Sequence, residues 1–186
     1  IWRLACKVSD ARRIIGKGPA AVNASVSWLV PKPYTPMQWA AQMDGEYFRR
    51  VHYALKNLER GTGRMPVKIK THGFGRSWLE AVFARGDRRL ASVIERAWRD
   101  GARFDAWDEA FDLERWKQAF AGEGVDAAWY ANRQRGADEV FPWDHIEGPD
   151  KAWLRQQYED IFATLAERKE TGQQGPQGQS GVPWDQ

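Results

Sequence analysis

Apolar and polar positions alternate between residues 22 and 30. Val22, Ala24, Val26, Trp28 and Val30 share one parity; Asn23, Ser25, Ser27 and Leu29 share the other. A period of two predicts a β-strand with one apolar face and one face of mostly small polar side chains. The run stops at Pro31, Pro33 and Pro36, and Thr35-Pro-Met-Gln38 has the form of a capping box with proline at the first helical position. A helix is therefore expected to begin at Thr35. Upstream, residues 1–15 carry Leu4, Ala5, Val8, Ile14 and Ile15 at roughly helical spacing, and Gly16 and Gly18 can end that helix. Downstream, Asp44 can start a helix whose core stripe is Phe48, Val51, Leu55 and Leu58. After a turn at Gly61-Thr62-Gly63, a short strand is expected from Val67 to Thr71, with Lys68 and Lys70 on its polar side.

Beyond residue 72 the pattern changes to helices and aromatic corners. Ser77-Trp-Leu-Glu80 is a second capping box, read as opening a helix to about Arg85. Asp87 is read as the cap of the next helix, with Leu90, Ile94 and Ala97 inward and Gly101 as its stop. Asp150 caps a last helix with Leu154, Tyr158, Ile161 and Leu165 on one side. Residues 171–186 are Gly, Gln and Pro with few apolar side chains, and are expected to be disordered.

Composition narrows the class. At 186 residues the chain can bury a real core. It carries 28 Lys and Arg against 25 Asp and Glu, interspersed, which is a solvated surface and not the basic stripe of a dedicated nucleic-acid binder. Nucleic acid is thus a conceivable partner that nothing indicates. Eleven tryptophans are read first as core and rim anchors. The single cysteine, Cys6, rules out an internal disulfide framework and fits a reducing, cytoplasmic setting. No apolar run is long enough to span a membrane. The chain begins at Ile1 inside a helical pattern, as expected of a fragment.

The strand at 22–30 is the most informative element, and two architectures satisfy it. In one, its small polar face looks into the lumen of an α/β barrel, where a ligand needs room, and the working residues lie at its carboxyl end, Val30 to Pro36. In the other, it is a half-exposed antiparallel strand with a polar outer face. His52, His72 and His145 sit in separate segments without metal-ligand spacing. His52 reads as a satisfied or surface histidine. His72 follows a strand and precedes a glycine loop, so it is a candidate for lining a site. Arg85, Arg88 and Arg89 form either a clamp for an anionic substrate or a solvated helix start.

Four separated stretches add a resemblance. "SVSWLVPKPYTPMQWAAQ", "FARGDRRL", "FDAWDEAFDLERWKQAF" and "PWDHIEGPDKAWLRQQY" together resemble the carboxyl-terminal part of radical S-adenosylmethionine (SAM) proteins. The match is to the family whose full-length members carry an amino-terminal B12-binding-like domain. Tyr34 and Met37 stand where that family's motif has His and Phe. The resemblance covers about residues 1–165 and implies an α/β fold. Residues 1–76 would be the carboxyl-terminal piece of a partial (β/α) barrel, and 77–170 a mainly helical, Trp-rich extension.

For the intact protein the resemblance implies reductive cleavage of SAM at a [4Fe–4S] cluster and radical chemistry on an unknown substrate, with cobalamin as a further candidate cofactor. It places the main chain of Leu29, Val30 and Pro31 against the SAM adenine. Lys32, Thr35, His72, Arg85 and Arg88 become candidate substrate contacts. The cysteine motif for the cluster would belong to a missing amino-terminal part of the same protein, so these residues alone are expected to be inactive and to bind none of these cofactors. The alternative class is a non-catalytic helical module that grips RNA or a protein.

Overall fold

The computed structural model describes residues 1–61 and 66–170. Helix α1 (Trp2–Ala11) continues into a single 3-10 turn and stops at Gly16, whose φ of +72° suits glycine. Strand β1 (Val22–Val26) follows, and then the proline corner with a short 3-10 turn at Pro36–Trp39. Helix α2 (Gly45–Gly61) leads to β2 (Val67–Thr71). Then come α3 (Phe74–Ala84), α4 (Leu90–Arg99), α5 (Leu113–Gly122), α6 (Ala127–Ala131) and α7 (Lys151–Glu170). The fold is mixed α/β and mostly helical. Thr62 and Gly63 of the expected turn, and the tail 171–186, lie outside the described residues.

The two strands pair in parallel, in register from Val22↔Val67 to Val26↔Thr71. The parallel pairing overturns the antiparallel alternative. One face, with Val67 and Ile69 buried, packs on α1 and α2. The other presents Asn23, Ser25, Lys68 and Lys70 to solvent. The alternation seen to residue 30 outlasts the ladder: Trp28 and Val30 stay half-buried and Leu29 exposed, although β1 ends at Val26.

Several caps form where the sequence puts them. Asp44 Oδ1 accepts from Tyr47 N at 2.8 Å, and Asp150 Oδ1 from Ala152 N and Trp153 N. Asp87 is not the cap expected of it: its Oδ1 accepts from Arg89 N at 2.9 Å in the turn before α4, whose N-cap position is Arg89, while Gly101, with φ of +96°, follows the helix as expected.

Others are corrected. Ser77 does not open a helix: α3 starts three residues earlier, after the extended Gly73, and Ser77 is buried within it. The division expected at 76/77 therefore falls inside a helix. Thr35 precedes a 3-10 turn, not an α-helix, and its Oγ1 donates to Lys32 O at 2.9 Å in place of capping. In α4 the inward residue is Val93, fully buried, while Ile94 is 47% exposed. In α1 the residues on the sheet are Ala5 and Ser9, whereas Leu4 and Val8 face outward. Leu58, Ile161 and Leu165 are likewise exposed.

Two apolar clusters hold the helical part together. One joins α3, α4, α5 and α6 through Leu79, Val82, Leu90, Val93, Trp116, Phe120 and Tyr130. The second gathers Trp39, Phe141, Trp143, Leu154 and Tyr158, binding α7 to the corner after β1, with Tyr34 and Met37 against it.

Candidate functional site

The carboxyl ends of β1 and β2 come together. Trp28, two residues past the ladder, donates its indole N–H to His72 O at 2.7 Å, so each strand end fixes the other. The Trp28 ring lies 4.6 Å from that of Phe48, which in turn lies 5.1 Å from Phe74. His52 Nδ1 shares a 2.8 Å hydrogen bond with Thr71 Oγ1. These side chains, with Tyr53, Arg49 and His72, line a cavity of about 320 Å³. Its walls combine the aromatic rings of Trp28, Phe48, Tyr53 and Phe74 with polar groups from Arg49, His52, Thr71 and His72, which suits a small planar ligand with a polar edge. His72 thus does line a cavity. His52 also lines it and, as its sequence reading held, is a satisfied histidine.

The proline corner turns out to be a clasp. Pro31 is fully buried, and Leu29 and Val30 lie beyond the last ladder pair, so their main chain is not engaged in the sheet. Lys32 Nζ pairs with the Glu80 carboxylate of α3, both groups about half exposed. Tyr34 adopts φ of +56°, a costly conformation for a residue with a Cβ. What holds it there is long-range. Its hydroxyl sits between two carbonyls, 2.6 Å from Trp143 O and 2.8 Å from Ile146 O. The Trp143 indole donates to Gln38 Oε1 at 2.9 Å. A Cβ at Gly148 would come within 2.6 Å of Tyr34 Cδ1, so only glycine lets the loop lie so close.

The arginines separate into buried and exposed groups. Arg85 is 0% exposed, and its guanidinium donates to Ala40 O (2.8 Å), Ala131 O (3.2 Å) and Arg133 O (3.1 Å). It knits three segments and has no face free for substrate, contrary to the clamp expected of it. Burial, with Arg135 and Arg133 nearby, pushes its pKa down to about 10. Arg135, also buried, donates to Arg85 O at 2.9 Å and meets Glu139. Glu139 in turn accepts from Arg133 at 2.8 Å, which holds its carboxyl below the usual range. Asp87 is held at about 2 chiefly by the Arg89 guanidinium, and Tyr130 donates to it at 3.1 Å. Arg88 is exposed.

Of the expected site residues, Leu29, Val30, Pro31, Lys32 and Thr35 are contiguous at the corner, and the Trp28 hydrogen bond joins His72 to their strand. Arg85 and Arg88 sit at the α3–α4 turn; only Arg85 reaches the corner region, through Ala40. Sequence reasoning missed the aromatic lining from Phe48, Tyr53 and Phe74, and the Arg133–Glu139–Arg135 network. Phe48 was visible as a core position, but its closeness to Trp28 depends on the parallel pairing.

Among the described residues no group of three His, Cys, Asp or Glu could hold a metal ion, and no helix is long and apolar enough to cross a membrane. Cys6 is the chain's only cysteine, and burial pushes its thiol up. Scans against protein-family models, curated proteins and solved structures find no match to this chain.

Proposed function

We propose that this chain is the carboxyl-terminal portion of a radical SAM enzyme, supplying the last strands of a partial barrel and a helical extension that braces them. The observation that carries the reading is the parallel pair β1–β2 with one uncovered face. Parallel strands are ordinarily covered on both sides. Here the bare face is small and polar, with Asn23 and Ser25 beside Lys68 and Lys70, as a lumen-facing surface would be. Both strand ends converge on one mouth, where α/β barrels place their chemistry. The outward apolar residues Leu4 and Val8 of α1 also suit further covering structure.

The cofactors divide. A [4Fe–4S] cluster takes its ligands from cysteine thiolates, and one cysteine cannot furnish a site. The residues of this chain do not fit the cluster. SAM fits better: the main chain of Leu29 and Val30, outside the strand ladder, offers donors and acceptors to a purine edge, and buried Pro31 keeps that segment rigid. The chain's share is then to bind and orient the nucleoside. Lys32, paired with Glu80, takes no part in our reading of that site. The coding sequence upstream of Ile1 tests the proposal: a Cys-x3-Cys-x2-Cys motif supports it, and its absence from the natural gene refutes it.

A second reading has its own observation. Phe104 is 77% exposed at φ of +55°, near exposed Trp107, and Arg103 stacks 4.7 Å from the Trp98 ring. An exposed aromatic and basic surface of this kind favours a helical binding module for RNA or protein. Salt-dependent RNA binding by a gene product without iron–sulfur absorption would select it.

A further inference from the structure

Beside the α3–α4 turn lies a cavity of about 720 Å³ whose lining includes Arg88, Arg89, Arg135 and His145 together with Trp129 and Pro142. Its electrostatics are unbalanced. Arg85, Arg88, Arg89, Arg133 and Arg135 cluster here with only two carboxylates, Asp87 and Glu139. Both acids are already engaged, Asp87 by Arg89 and Glu139 by Arg133 and Arg135. The buried Nε atoms of Arg85, Arg133 and Arg135 have no acceptor among the described residues. Buried cations without full compensation are costly, so the fold retains a positive field behind this cavity.

The groups facing the cavity are also held in place. The Trp129 ring has the Arg89 guanidinium 5.1 Å from its centre and that of Arg133 at 4.1 Å. These cation–π contacts fix both cations before any ligand arrives. The Arg88 guanidinium has no hydrogen bond or ion pair among the described residues, and Arg88 lines the same space. Guanidinium groups in this arrangement match a multiply charged oxyanion. The volume exceeds what a bare anion fills, and Trp129, Val140 and Pro142 supply apolar surface for a body attached to it.

We propose that this cavity binds a phosphate monoester carried on an apolar or aromatic body. The site stands apart from the radical SAM reading and does not depend on it. The test titrates the full-length gene product with phenyl phosphate, inorganic phosphate and benzyl alcohol, following heat and the phosphorus resonance. Phenyl phosphate is expected to bind saturably, inorganic phosphate more weakly, and benzyl alcohol not at all. Arg88→Met should weaken phenyl phosphate binding about tenfold, with Arg88→Lys recovering part of the loss and Arg99→Met changing nothing. Thermal unfolding of the Arg88 variants should match the parent. No saturable binding of phenyl phosphate, equal binding of benzyl alcohol, or an unchanged affinity in Arg88→Met would overturn the proposal.

Discussion

Replacing Gly148 by alanine should destabilise the fold only while the Tyr34 ring is present. The added Cβ would sit 2.6 Å from Tyr34 Cδ1 and closer still to Cε1, well inside carbon–carbon contact. Gly148 itself is not in the left-handed region, so alanine is allowed by the backbone and the penalty is steric. Forcing a methyl group into such a contact costs about 1–3 kcal/mol. Tyr34→Ala removes the ring and a hydroxyl that bonds Trp143 O and Ile146 O, about 1 kcal/mol for the hydrogen bond and a similar amount for ring burial. In that background the three atoms nearest the new Cβ, all of the Tyr34 ring, are gone. Gly148→Ala should then be neutral or slightly stabilising, because alanine lowers unfolded-state entropy by up to about 1 kcal/mol.

That entropy contribution is common to both backgrounds and cancels in a double-mutant cycle. The coupling should therefore be about 1–3 kcal/mol, read from urea midpoints at constant slope. Additivity of the two substitutions within about 0.5 kcal/mol would refute the clasp between the proline corner and the 143–148 loop.

Arg85→Met should cost about 2–4 kcal/mol, since three hydrogen bonds to carbonyls are lost and, among the described residues, only Ala131 O keeps another donor, Gln42 N, while Arg88→Met should shift stability by under about 0.5 kcal/mol; equal midpoints in urea would contradict the division. Asp87, depressed to about 2 from 3.8, contributes stability above its unfolded value that is lost as pH falls through 4 toward 2. The gap in melting temperature between parent and Asp87→Asn should therefore close over that interval, and a gap that widens on acidification would reverse the sign of the argument. Lys32→Met breaks only an exposed pair with Glu80 and should cost under about 1 kcal/mol; a larger loss would mean the lysine is held by more than that carboxylate.

What the sequence makes legible here is local. Asp44 and Asp150 cap because a carboxylate reaches an N–H two or three residues on, whatever the rest of the chain does. Strand β2 was readable to the residue from its alternation and flanking turns. Its direction relative to β1 was not, since a period of two is the same in both senses. The capping-box reading of Ser77 failed because packing, not propensity, starts α3 earlier: Phe74 lies against Phe48 and Gly75 lies close to Leu113, so the helix begins after Gly73. Tyr34 shows the other limit. Its left-handed backbone is fixed by carbonyls 109 and 112 residues away, which no window of sequence contains. Arg85 reads as either an anion clamp or part of a solvated helix start, yet it is buried because its acceptors come from residues 40, 131 and 133.

The central claim concerns chemistry at the mouth where β1 and β2 end. The full-length gene product, loaded with iron and sulfide under anaerobic conditions, is reduced in the presence of SAM, and the products are separated chromatographically. Formation of 5′-deoxyadenosine, lowered when Leu29 is replaced by proline to remove its main-chain N–H, is the expected result. A product mixture without 5′-deoxyadenosine, from protein that carries the cluster, would contradict the account.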